Sequence, residues 1–322
     1  MVWVFTALLL AAVVAPWLYQ WGRHFAGIAA REELSALLES VGASCRRAKF
    51  ERYFSRSLSG SAILLLPFLL RRIRSIRAAS GVPMEARAKV PWAVAVAHTA
   101  TGCLIAGGIL LGAGMVFAAV GAFTMEPHPP ALGEFLRRLL VPAIAASLLE
   151  EWIFRGLLLG LWLRFAKPLA ACVGTSLLFA FLHFLSPPDG SFIANPGAPW
   201  AGFELLGKIL LHFTDPRFFV TDFATLFVVG MILSWARLRT GALWFSIGLH
   251  AGWIAAFKGF NMLHLAVPAH EWRPWGVGDS LRSGLLPLLA LGFTAVICRF
   301  ALRYFEKAEF AQPRITVTTT TR

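Results

Sequence analysis

The sequence predicts an all-α fold, a multi-pass transmembrane helical bundle of about seven or eight membrane helices, and three observations predict it. First, 57% of the 322 residues are hydrophobic and only 15% are charged, whereas a soluble domain carries about a quarter charged residues. Second, the mean hydropathy is +0.67, and several apolar runs reach the roughly 20 residues that one membrane helix needs. Third, no stretch shows the alternating pattern of an outer-membrane barrel.

In chain order, the runs read as spans are Val2–Tyr19, Pro91–Phe123, Leu139–Leu163, Pro168–Leu185, Phe219–Leu238, Ala242–Phe260 and Leu285–Leu302. The start lacks a basic n-region, and Arg23 follows the apolar run. An uncleaved first span with its N-terminus outside fits that order better than a signal peptide. The short run Leu58–Leu70 has basic clusters on both sides and reads as re-entrant or interfacial. If it spans instead, the orientation of the first helix reverses. In Pro91–Phe123, the spacing Gly108-x-x-x-Gly112, along with Gly114 and Gly121, predicts close helix packing through small residues.

The partition expected is 1–90 as a first span with basic cytoplasmic or interfacial material, 91–302 as a membrane domain with its core at 139–260, and 303–322 as a polar tail. The connectors Arg164–Pro168 and Ala236–Gly241 are basic and read as cytoplasmic, which puts the C-terminus on the cytoplasmic side of the cell membrane. The stretches Ser186–Arg217 and Lys258–Arg282 read as external loops, and the first of them is either a plain connector or a gate over the site.

The formal net charge is +13, concentrated in Arg23–Arg56 and Arg71–Lys89 beside apolar runs. That placement predicts contact with anionic lipid head groups, not with nucleic acid, for which no binding module is present. Cys45, Cys103, Cys172 and Cys298 show no CxxC spacing, so neither a disulfide framework nor a thiolate metal site is indicated.

Polar groups inside spans carry the functional information, since charge in hydrocarbon is costly. Glu150, Glu151 and Arg155 sit together in the third span of that series. Glu151 and Arg155 are i and i+4 and can pair, while Glu150 is turned about 100° away. The pair reads as structural and Glu150 as the reactive carboxylate. The next span holds Phe179 and His183 one turn apart, and the sixth holds His250 near its middle. His98 has no such company and reads as structural.

One carboxylate and two imidazoles can do either of two things. Glu150, His183 and His250 can hold Zn²⁺ with an open water position. Alternatively, Glu150 with His183 activates water without any metal, and His250 stabilises an oxyanion. Both routes lead to hydrolysis, most naturally of a peptide bond in or beside the membrane.

Glu150-Glu151-x-x-x-Arg155, Phe179-x-x-x-His183 and then His250 resemble the ordered EExxxR, FxxxH and HxxxN/D motifs of the CAAX-protease and bacteriocin-processing (CPBP) family of intramembrane proteases. The resemblance covers about 139–260. It implies that Glu150 activates water with His183, that His250 helps to stabilise the tetrahedral intermediate, and that Glu151 and Arg155 support them. At the third motif the chain departs: Ile254 stands where the family has Asn or Asp. Ser246 and the Trp253 indole N–H, each within a turn of His250, are the substitute donors. The expected substrate is a membrane-proximal or lipid-anchored peptide. The competing readings are an inactive CPBP-like scaffold or immunity protein and, from a different class, a transporter, against which the absence of an internal repeat argues.

Overall fold

The computed structural model describes residues 2–31, 35–79, 90–185 and 191–311. The end of the second basic cluster, the Ser-Pro-Pro-Asp-Gly stretch at 186–190 and the tail from 312 lie outside the described residues. The helices follow as α1 Val2–Ile28, α2 Ala36–Arg47, α3 Phe50–Ala79, α4 Trp92–Ala119 and α5 Leu132–Glu151. From α5 the chain runs without a break through a π-helical turn, π1 Trp152–Leu158, into α6 Leu159–Trp162. Then come α7 Pro168–His183, α8 Ala201–His212, α9 Pro216–Phe218, a second π turn at Phe219–Phe223, α10 Ala224–Thr240, α11 Trp244–Leu263 and α12 Leu285–Ala311. The all-α membrane fold holds. Among the described residues, five helices are long and apolar enough to cross a membrane, namely Val2–Ile28, Phe50–Ser75, Trp92–Ala119, Pro216–Thr240 and Leu285–Phe305. Pro168–His183 is apolar but shorter.

Local sequence explains the boundaries. Pro168 opens α7 at the position where its missing N–H costs nothing. Gly241, at φ +64°, closes α10 in the left-handed conformation that glycine adopts freely. The run Leu58–Leu70 is neither re-entrant nor separate: it is the middle of one continuous α3, which passes through Pro67 and into the basic residues on either side. Backbone bonding inside a helix continues regardless of side-chain charge, so basic flanks did not mark its ends.

The described residues form two compact units. One comprises Met1–Glu85 with Phe181–Phe218, the other Ala86–Ala180 with Phe219–Arg322. In the first, α1 presents Val4, Ala7, Leu8, Ala11, Ala12 and Ala15 as a buried stripe of small residues. Against it lies α8, whose Gly202 meets the backbone of Ala12 too closely for any side chain. Tyr53 on α3 packs edge-on to Tyr19 at 5.3 Å and donates its hydroxyl to Cys45 O at 2.9 Å. The expected loop 186–217 therefore contains an amphipathic helix that belongs with the N-terminal helices, burying Leu205, Leu206 and Ile209.

The second unit is built on the crossing of α4 and α11. A short ladder joins their far ends, with Phe123 opposite Ala266 and Met125 opposite His264. Close approach here depends on glycine, and of those expected Gly114 takes part, since an added Cβ there would stand 2.8 Å from Leu281 and from the Phe260 ring. A Cβ at Gly108 or Gly112 would meet nothing within 4 Å. Instead, an added Cβ at Gly102 would stand 2.6 Å from Phe245 O, and at Gly248 or Gly252 it would overlap the backbone of Thr99 or Cys103. The small-residue seam is Gly248-x-x-x-Gly252, on α11. Backbone atoms cannot rotate away, so Gly248→Ala should destabilise the purified protein by about 1–3 kcal/mol, whereas Gly108→Ala should leave the thermal midpoint in detergent unchanged.

His98 is buried, edge-on to Phe245 and Phe305 at 6.1 and 4.9 Å, which fits a structural role. All four cysteines are free thiols.

Candidate active site

The second unit brings four polar side chains of the ordered motifs into one chain of contacts. Glu151, the last residue of α5, is fully buried, and so is Arg155, in π1. Arg155 donates Nη1–H to Glu151 Oε1 at 2.9 Å and Nη2–H to the Gly230 carbonyl on α10 at 3.2 Å. Its guanidinium also stacks over the Phe179 ring, 4.5 Å from the centroid. A buried charge needs a partner and further hydrogen bonds, and Arg155 finds them on three helices. Phe179 in turn sits edge-on to Phe154 at 5.1 Å and to the His250 ring at 5.9 Å.

His250 is the centre of the arrangement. Its Nδ1 lies 3.1 Å from Glu151 Oε1, and its Nε2 lies 3.7 Å from Glu150 Oε2. The two carboxylates therefore meet the same ring, which helix rotation alone does not suggest. They address opposite nitrogens of one imidazole. Nor is Glu151 only a structural mate for Arg155: by accepting at Nδ1 it orients the ring and sets which nitrogen faces Glu150.

Exposure separates the two glutamates. The Glu150 side chain is 27% exposed and that of Glu151 not at all. Of the two, Glu150 has exposed surface, while its Oε2, on the His250 side, is buried. A π turn directly after the pair inserts an extra residue into the helical register, a feature frequent at functional sites. Here it lies between Glu151 and Leu159, whose N–H reaches back to Phe154 O.

The remaining expected residues fall as follows. His183 ends α7, one turn beyond Phe179, and belongs to the first unit, since the division between the units passes between Ala180 and Phe181. Ser246 is fully buried; its hydroxyl lies 2.9 Å from Leu243 O and is also a hydrogen-bond partner of the Glu151 carboxylate. Trp253 is buried, and its Nε1–H has no hydrogen-bond partner among the described residues. Ile254 is half-buried on the same helix. Sequence reasoning missed Gly230 and Phe154. Gly230 gives no signal, because it acts through a backbone carbonyl.

Among the described residues, no group of three His, Cys, Asp or Glu side chains is placed to hold a metal ion.

The same stretch is matched by a family model. Residues 132–256 match the one described as type II CAAX prenyl endopeptidase Rce1-like. The match contains every residue of the three ordered motifs and ends two positions after Ile254. No curated protein and no solved structure matches the chain in the corresponding comparisons. Within a multi-pass membrane protein, residues 132–256 therefore form an Rce1-like domain, in keeping with the CPBP family.

Proposed function

We propose that the protein is an intramembrane endopeptidase that hydrolyses a peptide bond in a membrane-proximal or lipid-anchored substrate, with Glu150 as the base that activates water. The observation that carries this reading is the run Glu150, His250, Glu151, Arg155, joined at 3.7, 3.1 and 2.9 Å. A general base must lie within hydrogen-bond reach of the proton that it removes. Two atoms 3.7 Å apart can share one water at about 2.8 Å from each.

In this mechanism Glu150 takes a proton from water as the oxygen attacks the scissile carbonyl carbon. The carbonyl π electrons move onto oxygen, and the resulting oxyanion is held by His250 Nε2–H. Because Nδ1–H donates to Glu151, an Nε2–H means a cationic ring, and buried Glu151 balances that charge. Collapse of the intermediate breaks the C–N bond, and the proton held by Glu150 passes to the leaving amine.

The second oxyanion donor is Trp253 in place of the family's Asn or Asp. Its support is the buried, unpartnered Nε1–H within a turn of His250. Trp253→Phe keeps the ring and removes that donor. It should lower kcat by about 10²–10³ with KM little changed, measured on the same peptide as wild type.

The description of the matching family supports one substrate class. A peptide that ends in a prenylated cysteine followed by three further residues is the first candidate. Purified protein in bilayers should release the C-terminal tripeptide from the prenylated form, and not from the same peptide without the lipid, as read by product mass. Equal cleavage of both forms would remove the lipid anchor from the reading while leaving hydrolysis intact. No cleavage of any membrane-associated peptide would favour the inactive-scaffold reading, which the Ile254 departure motivates.

The basic connectors place the C-terminus on the cytoplasmic side in this proposal. A crossing Phe50–Ser75 brings the N-terminus to that side as well, the reverse of the outside position that an interfacial Leu58–Leu70 requires. Thiol labelling of a single cysteine placed at Thr6, in sealed cells against permeabilised ones, decides between them.

A further inference from the structure

Glu151 turns a single oxygen to two donors. Its Oε1 accepts from Arg155 Nη1–H at 2.9 Å and stands 3.1 Å from His250 Nδ1. Bonds at one oxygen leave a carboxylate free to turn about its last torsion, which is broad and roughly two-fold. Such a turn carries Oε1 away from Nδ1, and the His250 ring then loses the contact that aims Nε2 at Glu150. Holding the plane of the carboxylate is therefore a task separate from balancing its charge.

Ser246 is placed for that task. It stands one turn before His250 on α11, so its hydroxyl and the imidazole reach Glu151 from the same face of one helix. The hydroxyl has two acceptors, the Leu243 carbonyl at 2.9 Å and the Glu151 carboxylate, but a single proton to donate. A bond to an ionised carboxylate is roughly twice as strong as one to a neutral carbonyl. Ser246 and Glu151 are both fully buried, which strengthens the bond between them. Nor does the Leu243 carbonyl need the serine, since it already accepts the Ile247 N–H at 2.8 Å. Ser147 on α5 supplies a contrast. It too is buried one turn from Glu151, and its hydroxyl donates back along its own helix to Ile144 O at 3.2 Å.

We propose that Ser246 is a positioning residue: it gives its proton to the Glu151 carboxylate, fixes the plane of that group and so holds the His250 ring with Nε2 toward Glu150. The kinetic consequences rest on the hydrolytic reading given above, whereas the orientation of the ring does not. A proton given to Glu151 is not free for an oxyanion. Ser246 therefore does not stand in for the Asn or Asp that Ile254 replaces, and that part stays with Trp253.

The test compares Ser246→Ala and Ser246→Cys in the purified full chain. Cysteine keeps a side chain of nearly the same shape but is a weak donor. On the lipid-anchored peptide each variant should lower kcat about tenfold, the lower end of what a bond to a charged group contributes, with KM near wild type. Ser147→Ala, which removes a buried hydroxyl one turn from the same carboxylate, should leave kcat unchanged. A second readout needs no substrate: the ring ¹³C–¹H signals of His250 in histidine-labelled protein, identified by their loss in His250→Gln. They should shift in both Ser246 variants and stay in place in Ser147→Ala. Wild-type kcat in Ser246→Cys, a loss confined to KM, an equal kcat loss in Ser147→Ala, or His250 signals unmoved by Ser246→Ala would each overturn the assignment. If wild type cleaves no peptide, the hydrolytic reading falls, and the ring signals alone decide whether Ser246 positions His250.

Discussion

Arg155→Ala is expected to cost the protein most of its stability. The side chain is 1% exposed and has partners on three helices: Glu151 beside it, the Gly230 carbonyl on α10 and the Phe179 ring on α7. Its removal leaves Glu151 as a buried charge with its strongest partner gone, a change that costs about 3–5 kcal/mol in other proteins. Thermal unfolding in detergent should show that loss. Glu151→Ala should match it, because it strands Arg155 in the same way. The double variant, in which neither charge remains, should recover part of the loss. Additive single-variant losses in the double variant would contradict a coupled pair.

Glu150→Gln is expected to have the opposite profile. The amide keeps the size of the carboxylate and loses its capacity to take a proton. Glu150 is partly exposed and stands 3.7 Å from His250 Nε2, so its neutralisation disturbs the buried pair little. Activity should fall by about 10²–10⁴, the range that general-base catalysis supplies, while the thermal midpoint stays near wild type. His250→Gln should fall between the two profiles. It removes the oxyanion donor and also the imidazole that Glu151 orients.

The pairing of Glu151 with Arg155 was legible because it follows from helix periodicity alone. So was the presence of Phe179 and His250 in the same set, since both lie on apolar helices where a polar or motif residue stands out. The relation between the two glutamates was not. Rotation by one residue separates them on the helix, but an imidazole has nitrogens on opposite sides, and a ring entering from α11 reaches both. Only the tertiary placement of α11 reveals that.

The packing glycines illustrate the same limit. Gly108-x-x-x-Gly112 and Gly248-x-x-x-Gly252 are equal as patterns, and the rotation of each helix against its neighbour decides which one is used. The π turn after Glu151 has no compositional mark at all. The helix Ala201–His212 was hidden by the proline and glycine on its N-terminal side, although its own apolar residues recur at helical spacing.

The account rests on Glu150 activating water without a metal. The most direct measurement is product formation from a lipid-anchored peptide by purified wild type and Glu150→Gln, reconstituted side by side, each with and without a strong chelator of divalent metal. The account predicts cleavage by wild type that the chelator does not change, and no detectable product from the folded variant. Cleavage by Glu150→Gln at the wild-type rate would contradict the role of Glu150, and wild-type cleavage abolished by the chelator and restored by Zn²⁺ would contradict the metal-free step.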